Sequence, residues 1–208
     1  MRPIFHIFMA GLFLALLTGC GVTKPSRYYL LTPVEEQGAD AVGTSSPAVG
    51  IGPVAFPAYL DRPEIVLRSG DNELKYAGSN RWAEPLKTAF NRTLAENLSI
   101  MLPTDRTAIH PWSRSVVLDY QVIVDVTRFD ADAGGTVILT AAWELIRSSD
   151  STVMQRSKAT YTEAAGSTDY PAIVAAQSRV VERLSRDIAA TINSAGLPAG
   201  QSGGSGVI

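Results

Sequence analysis

Cysteine and histidine are nearly absent from the chain, which contains one cysteine and two histidines in 208 residues. A single cysteine cannot form a disulfide within the chain, so no internal cross-link can stabilise the fold. His6 lies in an N-terminal apolar run, and His110 stands beside Pro111 and Trp112. A metal site would therefore consist mostly of carboxylates, and a lone histidine is more often structural than catalytic. We predict neither a metal nor a cofactor.

An excess of either charge sign is also lacking, because 18 Lys and Arg residues face 20 Asp and Glu residues, for a net charge of −2. This balance argues against a nucleic-acid partner, whose phosphates require a basic surface. The apolar run over residues 4–17 is shorter than the roughly 20 residues of a membrane-spanning helix. It follows Arg2 and fits the hydrophobic region of a secretory signal peptide.

The end of this run reads LTGC over residues 17–20 and resembles the bacterial lipobox. The resemblance implies cleavage before Cys20, whose new N-terminus carries the lipid. The only cysteine of the chain stands where a lipobox requires it. An ordinary cleaved signal peptide and an uncleaved anchor are the alternatives. Gly21 takes the place where an aspartate favours retention in the inner membrane, so the resemblance implies export to the outer membrane, facing the periplasm.

Composition divides the chain into four parts. We predict a cleaved signal peptide over residues 1–19 and a lipidated tether over residues 20–26. One folded domain is predicted over residues 27–194, since its length suits a single core. Residues 195–208 are mostly Gly, Ser and Ala, and this composition predicts a disordered tail.

The first half of the domain reads as short strands followed by a helix. Strands are predicted over residues 27–32, 48–56, 64–68 and 73–77, the last two joined in a hairpin by the turn-forming residues 69–72 (SGDN). A helix is predicted over residues 82–101, capped by Ser79 or Asn80, with Pro85 in its first turn. Its apolar residues recur every four positions, which predicts one buried face: Trp82, Leu86, Phe90, Leu94 and Leu98.

The second half alternates between apolar and polar residues with a period of two. Residues 115–127, 137–145 and 152–163 are therefore predicted as a three-stranded antiparallel meander. A final helix is predicted over residues 170–193, capped by Asp169. Together these patterns predict an α+β domain with an antiparallel sheet and two long helices packed on one face.

No sequence pattern identifies an enzyme. Residues 130–135 (DADAGG) superficially match the start of a calcium-binding loop, but Gly134 and Ala141 stand where two further oxygen ligands are needed. A solvated hairpin turn is the favoured interpretation. The predicted domain also has no G-x-S-x-G sequence of a hydrolase nucleophile elbow. We predict a non-catalytic protein.

Several stretches together resemble the PqiC (YmbA) family of auxiliary lipoproteins of ABC-type and MCE-type transport systems. Besides the lipobox and the Tyr-Tyr-Leu-Leu strand, they are residues 49–54 (VGIGPV), 59–63 (YLDRP) and 81–86 (RWAEPL). The resemblance implies an outer-membrane-anchored periplasmic subunit of an intermembrane lipid transport system that supports envelope integrity. It implies an MCE-domain periplasmic protein as the partner. A homo-oligomer is compatible with it, since MCE components form rings, but no residue pattern indicates one.

The family offers no catalytic residues, so its charged and aromatic motif positions are the candidates for partner binding. They are Asp61, Arg62, Arg81, Trp82 and Glu84. The alternative is structural: an Asp/Arg or Arg/Glu pair would pin the corner at residues 60–64 to the start of the first helix, with Trp82 in the core.

Two other functions remain open at this stage. A lipid-binding carrier or chaperone would require an apolar cavity between the sheet and the helices. A structural lipoprotein bound to peptidoglycan would require a binding motif that we do not identify in the sequence.

Overall fold

The computed structural model of the chain describes residues 25–35 and 46–196. The predicted signal peptide, Cys20, most of the tether and the tail beyond residue 196 lie outside the described residues. Within them, eight strands and two long helices follow in this order: β1 (Arg27–Tyr29), β2 (Val49–Ala55), β3 (Glu64–Arg68), β4 (Leu74–Trp82), α1 (Leu86–Met101), β5 (Thr107–Ile109), β6 (Tyr120–Asp132), β7 (Thr136–Arg147), β8 (Thr152–Ala164) and α2 (Tyr170–Ala195).

The sheet is organised around β6. This strand pairs with antiparallel β7 along its length, and β7 pairs in turn with β8. On the other side, the first half of β6 pairs with β2 and its end pairs with β3, both in parallel. β5 continues the sheet beyond β2, whereas β4 and then β1 continue it beyond β3. β1 and β5 are therefore both edges on this side of β6, and β8 is the edge on the other side.

Both helices cover the same face of the sheet, and the hydrophobic core lies between the two layers. Residues at every second position of β6 and β7 are buried there, as the alternating pattern predicts. Phe56, Phe90 and Phe129 meet edge to face, with ring centroids 5.1–6.5 Å apart. The α+β class, the single domain and the two helices on one face are thus confirmed.

The sheet is mixed, whereas the alternating patterns predicted an antiparallel one. β3–β4, β6–β7 and β7–β8 are antiparallel, but β1–β4, β2–β5, β2–β6 and β3–β6 are parallel. The parallel pairs join segments that are far apart in sequence, and alternation within one strand says nothing about the direction of its neighbour.

The first long helix begins later than the sequence predicted. Trp82 ends β4, because its N–H donates to the carbonyl of Pro63 at 2.7 Å instead of entering a helical turn. Ser79 and Asn80 lie within β4 and cap nothing; the N-cap position is Pro85. The predicted apolar face is confirmed, since Leu86, Phe90, Leu94 and Leu98 are all buried.

The strand predicted from residue 115 begins at Tyr120 and continues to Asp132 through a bulge after Val126. The residues before it form a loop in which Val117 is 77% exposed. The short strand β5 was not predicted, because it contains three residues and is held by parallel pairing to β2. The third meander strand and the last helix lie within two residues of the predicted bounds.

The described helices include none that is long and apolar enough to cross a membrane. The longest, α2, begins at its predicted cap, where the Asp169 carboxylate accepts a hydrogen bond from the N–H of Ala172 at 2.9 Å. This bond satisfies a backbone donor that the first helical turn leaves free. It also holds the pKa of Asp169 below its usual range.

Gly50 in β2 leaves room for the loop that precedes β6. A methyl group on Gly50 would lie 2.5 Å from Leu118 Cδ1 and 2.9 Å from Trp112 Cη2. We expect Gly50→Ala to lower the free energy of unfolding by about 1–3 kcal/mol, as overpacking does. Urea denaturation measures this loss. The matched control is Gly70→Ala, because a methyl group there meets nothing within 4 Å. Equal stabilities of the two variants would contradict the prediction.

Candidate functional site

The two motif stretches singled out in the sequence meet at the pairing of β3 with β4. Residues 59–63 form a corner between β2 and β3, and part of it is a single 3₁₀ turn. Arg81 stands opposite Glu64 in the β3–β4 register. Because strands 64–68 and 74–82 are joined by a hairpin, the chain brings two distant motifs onto one surface.

We define the corner surface as Asp61, Arg62, Glu64, Tyr76 and Arg81. The guanidinium of Arg62 lies 3.6 Å from the centre of the Tyr76 ring, within the range of a cation–π contact. Arg81 Nη2 lies 3.4 Å from Glu64 Oε1. Both pairs are partly exposed to solvent, where such an interaction contributes about 0–1 kcal/mol. Their main effect is to orient the charged groups.

Some polar groups of the corner surface have no partner among the described residues. The exposed Asp61 makes no side-chain hydrogen bond or ion pair there, and Arg62 has no carboxylate partner. Arg81 Nε is buried and makes no hydrogen bond within residues 25–35 and 46–196. A buried donor without an acceptor is costly, and because this nitrogen is shielded from solvent it does not itself face an incoming partner.

Trp82 and Glu84 do not belong to the corner surface. Trp82 is buried in the core, as the structural alternative expected. Glu84 Oε1 lies 2.9 Å from Arg92 Nη2, and the same nitrogen donates to the carbonyl of Leu31. These contacts fasten the start of α1 to the segment after β1. An Arg/Glu pair is also present as Arg81–Glu64, but it joins β3 to β4 instead of joining the corner to the helix start. The motifs therefore include both fold-stabilising and exposed positions.

A buried carboxylate ties the corner to the sheet. Asp130 in β6 has no solvent-exposed surface, and Arg68 donates to both of its oxygens. Arg128 Nε lies 2.9 Å from Asp130 Oδ1, and Tyr59 Oη lies 3.0 Å from Asp130 Oδ2. Buried charges persist when they are paired and hydrogen-bonded in this way. The Tyr59 bond holds the corner residues against β6.

Burial raises the pKa of Tyr59 from 10.0 to about 12, and the negative charge of Asp130 and its hydrogen bond act in the same direction. The folded state therefore favours the protonated phenol. The resulting stabilisation is fully present below pH 10 and is lost as the pH rises through about 12.

We expect the free energy of unfolding to fall less steeply between pH 10 and 12 in Tyr59→Phe than in the unsubstituted protein. Part of the fall should remain, because burial also raises the pKa of Tyr161. Denaturation series at several alkaline pH values measure the slope. Tyr28→Phe, at an exposed side chain, is the matched control. Identical slopes in all three proteins would contradict a contribution of the Tyr59 phenol to the loss of stability at alkaline pH.

The calcium-loop pattern has another explanation in the fold. Asp130 is committed to the two arginines, and Asp132 Oδ1 accepts from the N–H groups of Gly134 and Thr136. Asp132 therefore stabilises the β6–β7 turn, as the hairpin interpretation expected. Among the described residues, no three His, Cys, Asp or Glu side chains are grouped to hold a metal ion.

Two open clefts lie at the surface of the described fold. One of about 650 Å³ lies between α1 and β5 and includes Ile100 and Ile109 in its lining. Another of about 570 Å³ lies beside β1 and the start of α2 and includes Arg27. The sheet–helix interface itself is filled by the phenylalanine cluster and its aliphatic neighbours. A carrier function would require this packed core to open.

Comparison with known proteins gives one family match. The model of the family described as "ABC-type transport auxiliary lipoprotein component" matches residues 29–189. Among curated proteins, no sequence matches the chain.

Solved structures show the same fold. A crystal structure described as an uncharacterized protein has a TM-score of 0.66 and 23% identity, and the match covers 80% of this chain and 98% of that one. Protein XCC0632 from Xanthomonas campestris has a TM-score of 0.61 and 21% identity, covering 78% and 92%. A PelC dodecamer from Paraburkholderia phytofirmans, with a TM-score of 0.41, 17% identity and coverage of 71% and 92%, is too distant to indicate how this chain assembles.

Proposed function

Because the chain belongs to the family of ABC-type transport auxiliary lipoprotein components, we propose that it is a non-catalytic docking subunit of an intermembrane lipid transport system. In this proposal the acylated Cys20 anchors it in the outer membrane, and the domain faces the periplasm. The corner surface binds the periplasmic MCE-domain component. Through this contact the subunit supports envelope integrity.

The observation that carries the docking role is the set of unpartnered polar groups on the corner surface. Asp61 and Arg62 present opposite charges side by side, and neither has an oppositely charged partner within the part of the chain that the structure describes. Charged groups that are already oriented lose little entropy on binding and make recognition specific. The hydrogen bond of Tyr59 to the buried Asp130 supplies this rigidity.

The anchor rests on the lipobox-like residues 17–20 and on the single cysteine at its end. The outer-membrane location rests on Gly21, which replaces the aspartate of inner-membrane retention. No Gly-x-x-x-x-Gly-Lys-Ser/Thr sequence for nucleotide binding is present, so the energy for transport would come from another subunit.

Photo-crosslinking in intact cells tests the docking surface. A photoreactive amino acid at position 61 is expected to capture an MCE-domain protein. The same group at position 156 is the matched control, because Arg156 lies on the exposed side of β8 in a surface pair with Glu144. Arg62→Glu should lose most of the crosslink and sensitise cells to detergent, whereas Arg156→Glu should do neither.

Two outcomes would contradict the proposal. Equal capture at positions 61 and 156 would mean that the corner surface is not the docking site. Recovery of tightly bound phospholipid, without any MCE-domain protein, would instead support the second candidate function, a periplasmic lipid carrier.

A further inference from the structure

The edge strand β1 exposes apolar side chains close to the N-terminal tether. Within the described residues β1 pairs only with β4, so it forms one edge of the sheet. Its side chains alternate: Leu31, just after the strand, is buried, whereas Tyr28 is 64% and Leu30 is 47% exposed. We define the β1 patch as Tyr28 and Leu30, with Arg27 beside it on the other face of the strand. Large apolar side chains clustered in this way mark a surface that contacts something else.

The chain length between Cys20 and β1 limits what this patch can reach. Only six residues, 21–26, separate Cys20 from Arg27. Seven fully extended steps span at most about 25 Å, and a flexible chain of this length spans about 15 Å on average. A lipid on Cys20 would therefore hold β1 beside the membrane surface. No other described strand is so close in sequence to the anchor.

The chemistry of the patch matches the headgroup region of a bilayer. Tyrosine is enriched at membrane–water interfaces, because its ring is apolar and its hydroxyl is polar. Residues 20–34 contain Lys24 and Arg27 but no Asp or Glu, so this stretch carries two positive charges. Basic residues beside a lipid anchor are attracted to anionic lipids, and one lipid signal combined with a basic segment binds more firmly than either alone.

We propose that the β1 patch rests on the headgroups of the leaflet that holds the Cys20 lipid, with anionic phospholipids as its ligands. The contact rests on the proposed acylation of Cys20 and adds an orientation that the tether alone cannot impose. Tyr28 stands opposite Arg81 in the β1–β4 register. The corner surface is therefore held next to the membrane at a defined height.

A spin label can measure this contact, because acylation leaves the mature chain without another free thiol. One spin label is attached through Ala83→Cys. Ala83 is exposed and its N–H donates to the carbonyl of Tyr29, so the label lies beside β1 and the β1 patch stays intact. The control is Val117→Cys, on an exposed residue in the loop between β5 and β6. The lipidated protein is placed in vesicles of phosphatidylethanolamine and phosphatidylglycerol.

For each spin label we measure the ratio of its collision rate with oxygen to its collision rate with a water-soluble nickel chelate. We expect this ratio to be several-fold higher at position 83 than at position 117. Adding Tyr28→Ser and Leu30→Ser should remove the difference, and so should vesicles of phosphatidylcholine alone. Intact mass reports the acylation separately. An acylated protein with equal ratios at the two positions would overturn this inference but not the anchor. A chain without acyl mass would overturn the proposed anchor itself.

Discussion

Replacing Asp130 with alanine is expected to lower the free energy of unfolding by about 3 kcal/mol, because removing one partner of a buried ion pair leaves the other charge unpaired. Arg68 and Arg128 would lose their carboxylate, and Tyr59 would lose its acceptor. Both arginine side chains keep about a quarter of their surface exposed, so water can partly replace the lost contacts. The expected loss is therefore at the lower end of the usual range of about 3–5 kcal/mol. Urea denaturation measures it.

The matched control is Asp125→Ala, because Asp125 lies on the same strand but is exposed. Its cost should stay within about 0.5 kcal/mol, as at most surface positions. Asp130→Asn keeps the volume and one acceptor oxygen, so its loss should fall between the two. If Asp130→Ala and Asp125→Ala have the same denaturation midpoint, the buried network does not stabilise the fold.

The second large effect is expected from Cys20→Ala. This substitution should abolish incorporation of labelled palmitate and remove the protein from the outer-membrane fraction. The physical reason is the size of the anchor: each buried CH₂ group of an acyl chain contributes about 0.8 kcal/mol, and two chains give stable attachment. Membrane fractionation and intact-mass measurement of the purified protein read out the two effects.

Gly21→Asp provides the control for this experiment. It should leave the acylation unchanged and shift the protein towards the inner-membrane fraction, since an aspartate after the lipidated cysteine favours retention there. Palmitate on the Cys20→Ala protein, or an unchanged outer-membrane fraction, would contradict the anchor. An acylated Gly21→Asp protein that stays in the outer membrane would contradict only the sorting argument.

The parts of the fold that were predicted well are those whose sequence pattern is long and regular. β7 buries every second residue from Val137 to Leu145, and α2 combines an apolar face with a side-chain cap at Asp169. In these elements the local hydrogen bonds and the buried face agree, so the pattern and the structure coincide. The apolar face of α1 was predicted for the same reason.

The errors arose where a distant segment determines the local structure. Trp82 fits a helical apolar stripe, but the carbonyl of Pro63 draws its N–H into the sheet. β5 is three residues long and exists through its pairing with β2. Asp130 seemed to belong to an exposed turn, yet two arginines from β3 and β6 compensate its burial. Pro63, β2 and Arg68 are too far from these positions in sequence to leave a local pattern, and the nearby Arg128 does not by itself predict that Asp130 is buried.

The candidate site divides in the same way. The motifs identified Asp61, Arg62 and Arg81 as positions of interest, whereas the pairing of β3 with β4 brought them onto one surface and added Tyr76. Burial then separated Trp82 from that surface, and the ion pair with Arg92 separated Glu84 from it. Tyr28 and Leu30 were predicted as part of a strand, but their exposure follows from the edge position of β1.

The sequence by itself determined the family, the α+β class and most of the helix and strand periods, because these depend on motifs and on residues that are near neighbours along the chain. Only the tertiary structure decided the parallel pairings, the edge strands and the partners of each charged group. Those depend on hydrogen bonds and desolvation between segments that the chain keeps far apart until it folds, and no local periodicity encodes which segment will be the neighbour.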